Sequence, residues 1–326
     1  MAWTLHNLRE IVKSIGTPAL PREQAVWRDM FGWTTHYEGQ LTQQQLHCWH
    51  LEPPVQGYEV LYGFPSALHG LLRLVCFTQC SQQIIRAGAQ IWDTGGIFDF
   101  DLRVSSMNAT YNALIDAGWY VFGEPRELRV GPFVLNEALL FSPEAAGVAL
   151  VDRIEPPLSK ENAHNGLLGS IYLSVTVAQD INATARFLID VLGFTPMERF
   201  ILQPSVPEPT VFRLPWNIAP QIPVHLAAFS PNGRRDTLIE VLQFEGLHGE
   251  DRSERAIPPH RGLLMYRFPV SGIEEYYRHV AACWIVTTPL TTVEIAPYGQ
   301  TQVFAVRSPD GVWFEFFEES HPFAIP

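Results

Sequence analysis

The sequence predicts an α+β chain of four βαβββ modules arranged as two pairs, each pair a curved sheet around a cavity. Three observations carry this. A helix-ending glycine followed by an aromatic residue recurs, as Phe31-Gly32-Trp33, Gly118-Trp119 and Leu192-Gly193-Phe194, the pattern of an apolar stripe stopped at its C-cap. A Ser-Pro-acid turn recurs between strands, as Ser142-Pro143-Glu144 and Ser308-Pro309-Asp310. Segments alternating apolar and polar residues stand around these markers at similar spacing.

In chain order, Glu10 to Gly16 reads as a strand and Arg22 to Phe31 as a helix. Strands near Leu46 to Leu51, Tyr58 to Tyr62 and Leu71 to Phe77 complete module one. Module two has Ile97 to Val104 as a strand, Met107 to Ala117 as a helix, and closing strands Val134 to Phe141 and Gly147 to Ile154. Module three opens on Leu168 to Val177; Asp180 then caps a helix whose stripe is Ala183, Phe187, Leu188, Val191 and Leu192. Its strands are Thr195 to Ile201, Val224 to Phe229 and Thr237 to Phe244. Module four runs from Gly262 to Val270, through a helix from Ile273 to Cys283, to Val303 to Val306 and Val312 to Phe317. The polar segment 156–166 reads as a linker between an N-terminal pair, 1–155, and a C-terminal pair, 167–326. The first pair is expected to be scaffold and the second to hold the cavity. The proline-crowded stretch from Gln203 to Pro223 is expected to arch over something.

A net charge of -12 argues against nucleic acid or an anionic membrane as partners. No apolar run reaches the length of a membrane span, and the first residues lack signal-peptide character. Cys48, Cys76, Cys80 and Cys283 show no Cys-x-x-Cys spacing, so reduced thiols in a cytoplasmic setting are expected. The expected partner is a small molecule, and the chain is expected to be a monomer or homodimer.

Asp190-Val-Leu-Gly-Phe194 and the stretch from Pro297 through Ser-Pro-Asp-Gly to Glu315 carry a resemblance. Asp29-Met-Phe-Gly-Trp33 and Ala117-Gly118 extend it into the first half. The chain resembles the vicinal oxygen chelate superfamily, which includes glyoxalase I, extradiol dioxygenases and resistance proteins that bind drugs. The resemblance implies paired modules closing around a cavity. In metal-dependent members it implies a divalent cation on the first and last strands of paired modules, chelated by two substrate oxygens. Glu315 and Glu240 fall at the glutamate positions of modules four and three. The histidine positions are Met265 in module four and Tyr172 or Leu173 in module three. Arg73 and Val151 stand at the glutamate positions of the first half, and Asp99 replaces the module-two histidine. Arg73 and Asp99 are expected to meet as a salt bridge.

Glu315 interrupts an otherwise apolar strand, and a buried carboxylate needs a cation, a metal or water beside it. Two readings stay open: a catalytic or metal-ligating carboxylate, together with Glu240 on one divalent ion, or an ion pair with Arg267. Tyr172, Ser174 and Thr176 alternate on one face of their strand, so this hydroxyl face is expected to line the cavity with Tyr172 in proton transfer. His225 is the histidine expected inside the cavity, as a general base or a substitute metal ligand. Met265, Arg267, Tyr298 and Trp313 are expected to line the cavity as well. His47 and His50 point to opposite faces if their segment is a strand, which speaks against a zinc pair. The expected function is lyase- or isomerase-type acid–base chemistry on a small oxygenated compound. The alternatives are sequestration of a flat apolar molecule or a divergent extradiol-type oxygenation.

Overall fold

A computed structural model describes residues 3–158 and 167–319. The remainder of the expected linker, 159–166, lies outside the described residues. Module one comprises β2 (Glu10–Ile15), α1 (Leu20–Gln24) continued by a π-turn over Ala25–Met30, β3 (Thr34–Gln40), α2 (Gln43–Cys48), β4 (Gln56–Gly63) and β5 (Leu71–Thr78). A short β1 (Thr4–Leu5) precedes it. Module two comprises β6 (Ile97–Val104), α3 (Met107–Asp116), β7 (Tyr120–Val130), β8 (Phe133–Phe141) and β9 (Gly147–Glu155). Module three comprises β10 (Leu168–Val177), α4 (Ile181–Arg186) with a π-turn over Phe187–Val191, β11 (Thr195–Leu202), β12 (Val224–Ser230) and β13 (Leu238–Phe244). Module four comprises β14 (Gly262–Ser271), α5 (Ile273–Cys283), β15 (Val286–Ile295), β16 (Gly299–Arg307) and β17 (Trp313–Glu318).

The four modules form two curved sheets, but the partners differ from those expected. One sheet runs β15-β16-β17-β14-β2-β5-β4-β3, with β1 added to β14, so module four pairs with module one. The other runs β11-β12-β13-β10-β6-β9-β8-β7, so module three pairs with module two. The division into 1–155 and 167–326 is therefore overturned, and 156–166 connects two modules of one sheet. Charge complementarity accounts for the choice. Where β2 meets β14, Glu10 stands opposite Arg267. Pairing β2 with β6 instead would bring Glu10 to a strand carrying Asp99 and Asp101, setting buried acids together.

Each half-barrel has its own inner core, and the outer faces of both sheets share a third core with α1, α3, α4 and α5. The sheets meet closely at Gly70, whose φ of +66° and 2.0 Å approach of the Ile171 carbonyl to a would-be Cβ leave no room for a side chain. The Ser308–Gly311 turn also joins them. Asp310 accepts from the Gln179 N–H (3.0 Å) and from the Thr184 hydroxyl, while its carbonyl accepts from Gly96 N–H (2.9 Å).

Two local expectations fail. Leu46 to Leu51 is not a strand: Thr42 caps α2 by accepting from Gln45 N–H (3.1 Å), and His47 pairs with Glu52 at the surface (2.8 Å). The strands β3, β7 and β15 were not anticipated. All three lie at sheet edges, where charged residues, and in β7 and β15 a proline, protect against edge pairing and mask the apolar alternation. No helix among the described residues is long and apolar enough to cross a membrane.

Candidate active site

The half-barrel of modules one and four contains the residue that seemed most diagnostic. Glu315 on β17 lies beside Arg267 of β14, as the parallel register requires. Arg267 Nε donates to Glu315 Oε1 (2.6 Å) and its Nη1 to Glu10 Oε1 (2.6 Å). Trp49 Nε1 donates to the other Glu315 oxygen (2.8 Å). On the far side of Glu10, Arg73 donates through Nε (2.7 Å) and Nη2 (3.0 Å), and its Nη1 lies 2.8 Å from Glu59. Tyr298 donates to Glu10 Oε2 (2.7 Å). Burial pushes the Glu10 carboxyl up, but Arg73 and Arg267 outweigh it and hold it at about 2. Burial prevails at Glu59, whose affinity for a proton is raised despite both arginines.

Here the ion-pair reading of Glu315 is the one observed. Arg267 and Tyr298 are committed to Glu10 and Glu315, and Met265 and Trp313 pack in the inner core beneath them. None of these four presents a free cavity surface. A resident cation does not fit: two buried guanidinium groups stand where it would bind, and the carboxylates are already ion-paired to them. Arg73 reaches Glu10 and Glu59 rather than Asp99, because module two belongs to the other sheet.

The half-barrel of modules two and three is different. It encloses a cavity of about 130 Å³, walled by apolar side chains such as Phe98, Leu139, Val175, Leu226, Phe212 and Leu242. Into it point Asp99 and Asp101 of β6, Glu137 of β8 and Glu240 of β13. Asp99 and Asp101 are buried, and one oxygen of each has no hydrogen-bond partner. Burial pushes Glu240 up to about 8, with Glu137 and Glu198 adding to the rise, and pushes Glu137 up to about 7. Burial, then repulsion from Glu137 and Glu240, raises Asp99 well above the carboxylate range; Asp101 is raised by burial and by Asp99.

The sequence-derived candidates divide accordingly. Glu240 and Tyr172 line this cavity, while Glu315 lies in the other half-barrel, so the pair cannot share one ion. Tyr172 faces inward because of register shifts in β10 between Ile171 and Leu173. Ser174 and Thr176 face the opposite way. Ser174 shares a hydrogen bond with Tyr266 of the other sheet (2.9 Å), and Thr176 donates to the Gly96 carbonyl (3.2 Å). Leu173 and Val175 line the cavity instead, reversing the expected face. His225 is also outside: Leu226 and Ala228 of β12 face inward, and His225 pairs with the exposed Glu245 (2.7 Å). Asp101 and Glu137 were missed, although the alternation Asp99, Asp101, Arg103 against Phe98, Phe100, Leu102 is the signal that drew attention to Glu315.

The proline-rich segment after β11 does arch over the site. Val211, Phe212 and Leu214 are buried in the inner core, and Phe212 closes the cavity against Phe244 (5.6 Å between ring centres). It rests on β7 at Gly123, where a Cβ would lie 2.3 Å from the Val211 carbonyl. A groove of about 600 Å³ between β7 and this segment shares Leu128 and Phe212 with the cavity wall and is the expected route of entry. Phe212→Ala is expected to raise the association rate of a small apolar ligand severalfold, measured by stopped-flow fluorescence; an unchanged rate would place the entry elsewhere.

Asp99 and Glu240 occupy positions that the resemblance assigns to metal ligands, yet among the described residues no three His, Cys, Asp or Glu are grouped to hold an ion. The donor set does not fit a resident metal.

The raised carboxyls make stability depend on pH. Each takes up a proton on folding, so its contribution is complete below the ordinary value of 4.5 and is lost as pH rises through about 7 for Glu137 and about 8 for Glu240. Glu10 acts oppositely, adding stability above 4.5 that is lost as pH falls toward 2. Thermal unfolding is therefore expected at lower temperature at pH 8.5 than at pH 5.5, with the slope reduced in Glu240→Gln. A melting temperature independent of pH across that window would contradict the cavity assignment.

The chain has the paired βαβββ fold seen in solved glyoxalase-type structures. Among solved structures it is similar to glyoxalase I from Zea mays, at 12% identity over 98% of this chain and 94% of that one, with a TM-score of 0.64. It is likewise similar to a putative dioxygenase from Bacillus subtilis, at 12% identity over 98% and 87% of the two chains, with a TM-score of 0.62. No family model and no curated protein sequence matches the chain. Identity this low establishes the fold alone.

Proposed function

We propose that the chain takes a small, largely apolar molecule bearing oxygen groups into the half-barrel of modules two and three. There it moves a proton on that molecule in a lyase- or isomerase-type reaction. The observation that carries this reading is the set of four carboxyls, Asp99, Asp101, Glu137 and Glu240, that face one largely apolar cavity without an ion pair among the described residues, two of them with an unpartnered oxygen. Buried acids with no cation at contact distance are costly, and such costs persist where the groups do chemistry. Glu240, with its proton affinity near the working pH, suits a general base that takes a proton beside a carbonyl and returns it at a neighbouring atom. Asp99, whose proton affinity is raised by burial and by Glu137 and Glu240, suits donation of a hydrogen bond to the oxyanion that develops. Tyr172 orients the bound molecule. Extradiol-type oxygenation is less well supported, because its iron needs two histidines and a carboxylate, and the described residues hold no such group.

The apolar lining also suits sequestration without turnover, and one experiment separates the two. The protein would be incubated in D₂O with small carbonyl and aromatic oxygen compounds that it binds, and followed by NMR. Deuterium exchange or product formation above the buffer rate supports the enzyme reading. Binding with neither, across every compound that binds, would leave a sequestration protein.

A further inference from the structure

We infer that the cavity of modules two and three contains an anion subsite, formed by Arg103 and Arg153, and that its ligand is a small organic carboxylate with an apolar body. This deepens the proposed function, resting on it for the site though not for the chemistry. The two arginines project from neighbouring strands of one sheet. Arg103 on β6 pairs in parallel register with Val151 on β9, and Arg153 lies two residues further along the same face. Both line the cavity wall.

Both are half-buried, and their surroundings are unlike those of the chain's ion-paired arginines. The buried Arg86, which has no ion pair among the described residues, instead spends its N–H groups on the Ile97, Asp93 and Gly95 carbonyls. Arg73 and Arg267, in the equivalent half-barrel, are neutralised at contact distance by Glu10, Glu59 and Glu315. Arg252 is neutralised by Asp93 (2.9 Å) and Glu250 (2.8 Å). Arg235, at the rim of the cavity, is taken by Glu198. Among the described residues, Arg103 and Arg153 have no carboxylate at salt-bridge distance. Arg103 lies over the Tyr172 ring (4.4 Å to its centre) and Arg153 over the Phe133 ring (4.3 Å). The Arg153 Nε is buried and lacks a hydrogen-bond partner. Ring faces hold a guanidinium in place without cancelling its charge, leaving its N–H edge available to an anion.

Charge and shape then restrict the ligand. Two guanidinium groups on adjacent strands match a planar carboxylate better than a single ammonium would. Asp99 and Asp101 in the same cavity are raised toward their neutral forms, which weakens their competition for the arginines. The apolar walls beyond them accept a hydrocarbon or aromatic body, and the cavity volume of about 130 Å³ restricts that body to a small one. A carboxylate anchored at the arginines would carry its body inward, toward Glu137 and Glu240.

The test compares matched pairs that differ only in charge: benzoate with benzamide, phenylacetate with phenylacetamide, and hexanoate with hexanamide. Binding to the full chain would be measured by calorimetry at pH 6.5. At least one acid is expected to bind about tenfold or more tightly than its amide, since charge-assisted hydrogen bonds are roughly twice as strong as neutral ones. Arg103→Gln and Arg153→Gln are each expected to reduce that preference to within about twofold while amide binding persists. The wild-type comparison requires no variant to fold. Equal affinities within every pair, no binding by any of the acids, or a preference that survives both substitutions would overturn the subsite. The readout is binding, so its failure is distinct from that of the acid–base reading. Acid preference without turnover would remove only the latter, and turnover without acid preference would remove only the former.

Discussion

Replacing Arg267 with methionine should lower the free energy of unfolding by about 3–5 kcal/mol, the cost of breaking a buried ion pair from one side. Arg267 is fully buried and donates to both Glu10 and Glu315 at 2.6 Å. Without it Glu10 keeps Arg73 and Tyr298, but Glu315 retains only the Trp49 N–H. Glu315 must then stay charged in an apolar core or take up a proton, and either course destabilises the folded state. The second substitution Glu315→Gln, made on top of the first, should recover part of the loss because it removes the stranded charge. Urea unfolding followed by circular dichroism measures both. A loss under about 1 kcal/mol, in the range of exposed ion pairs, would mean that this network does not hold modules one and four together.

Replacing Glu240 with glutamine should reduce turnover by about 10²- to 10⁴-fold, the usual contribution of a general acid–base group, with ligand affinity changing far less. The amide fills the same space but cannot take up the proton. In the wild type, kcat/KM should rise with pH as the Glu240 carboxyl ionises through about 8. The direction follows from the role: a base works in its deprotonated form, and burial delays that form to higher pH. The variant should lose this limb of the profile. Undiminished turnover in Glu240→Gln would move the base to Glu137, the other cavity acid with a proton affinity near neutrality.

Much of the fold was legible because its signals are local. Alternation marked β10 and β14, Asp180 marked the start of α4 by capping Asn182 and Ala183, and glycine–aromatic pairs marked helix ends. Edge strands are hard to read where proline and charge mask alternation, and α2 is short and marked only by its Thr42 cap. The site was less legible. Glu315 stands out in the sequence as an acid in an apolar strand, and what accommodates it is Arg267. The same argument applied to Asp99, Asp101 and Glu137 points to the other half-barrel, where these acids face a cavity and form no ion pair among the described residues. A one-residue shift in β10 was enough to exchange the expected roles of Ser174 and Leu173.

The sequence by itself determined the repeating module, the turns that close it and the awkward placement of its buried charges, since these depend on neighbours along the chain. Only the tertiary structure decided which modules pair, and hence which charges meet. Glu10 and Arg267 stand opposite each other across 257 residues of chain, and no local pattern records such a contact. That pairing joined acids and arginines into buried ion pairs in one half-barrel and left Asp99, Asp101, Glu137 and Glu240 without such pairs around a cavity in the other, because a buried charge is governed by what lies across the sheet from it.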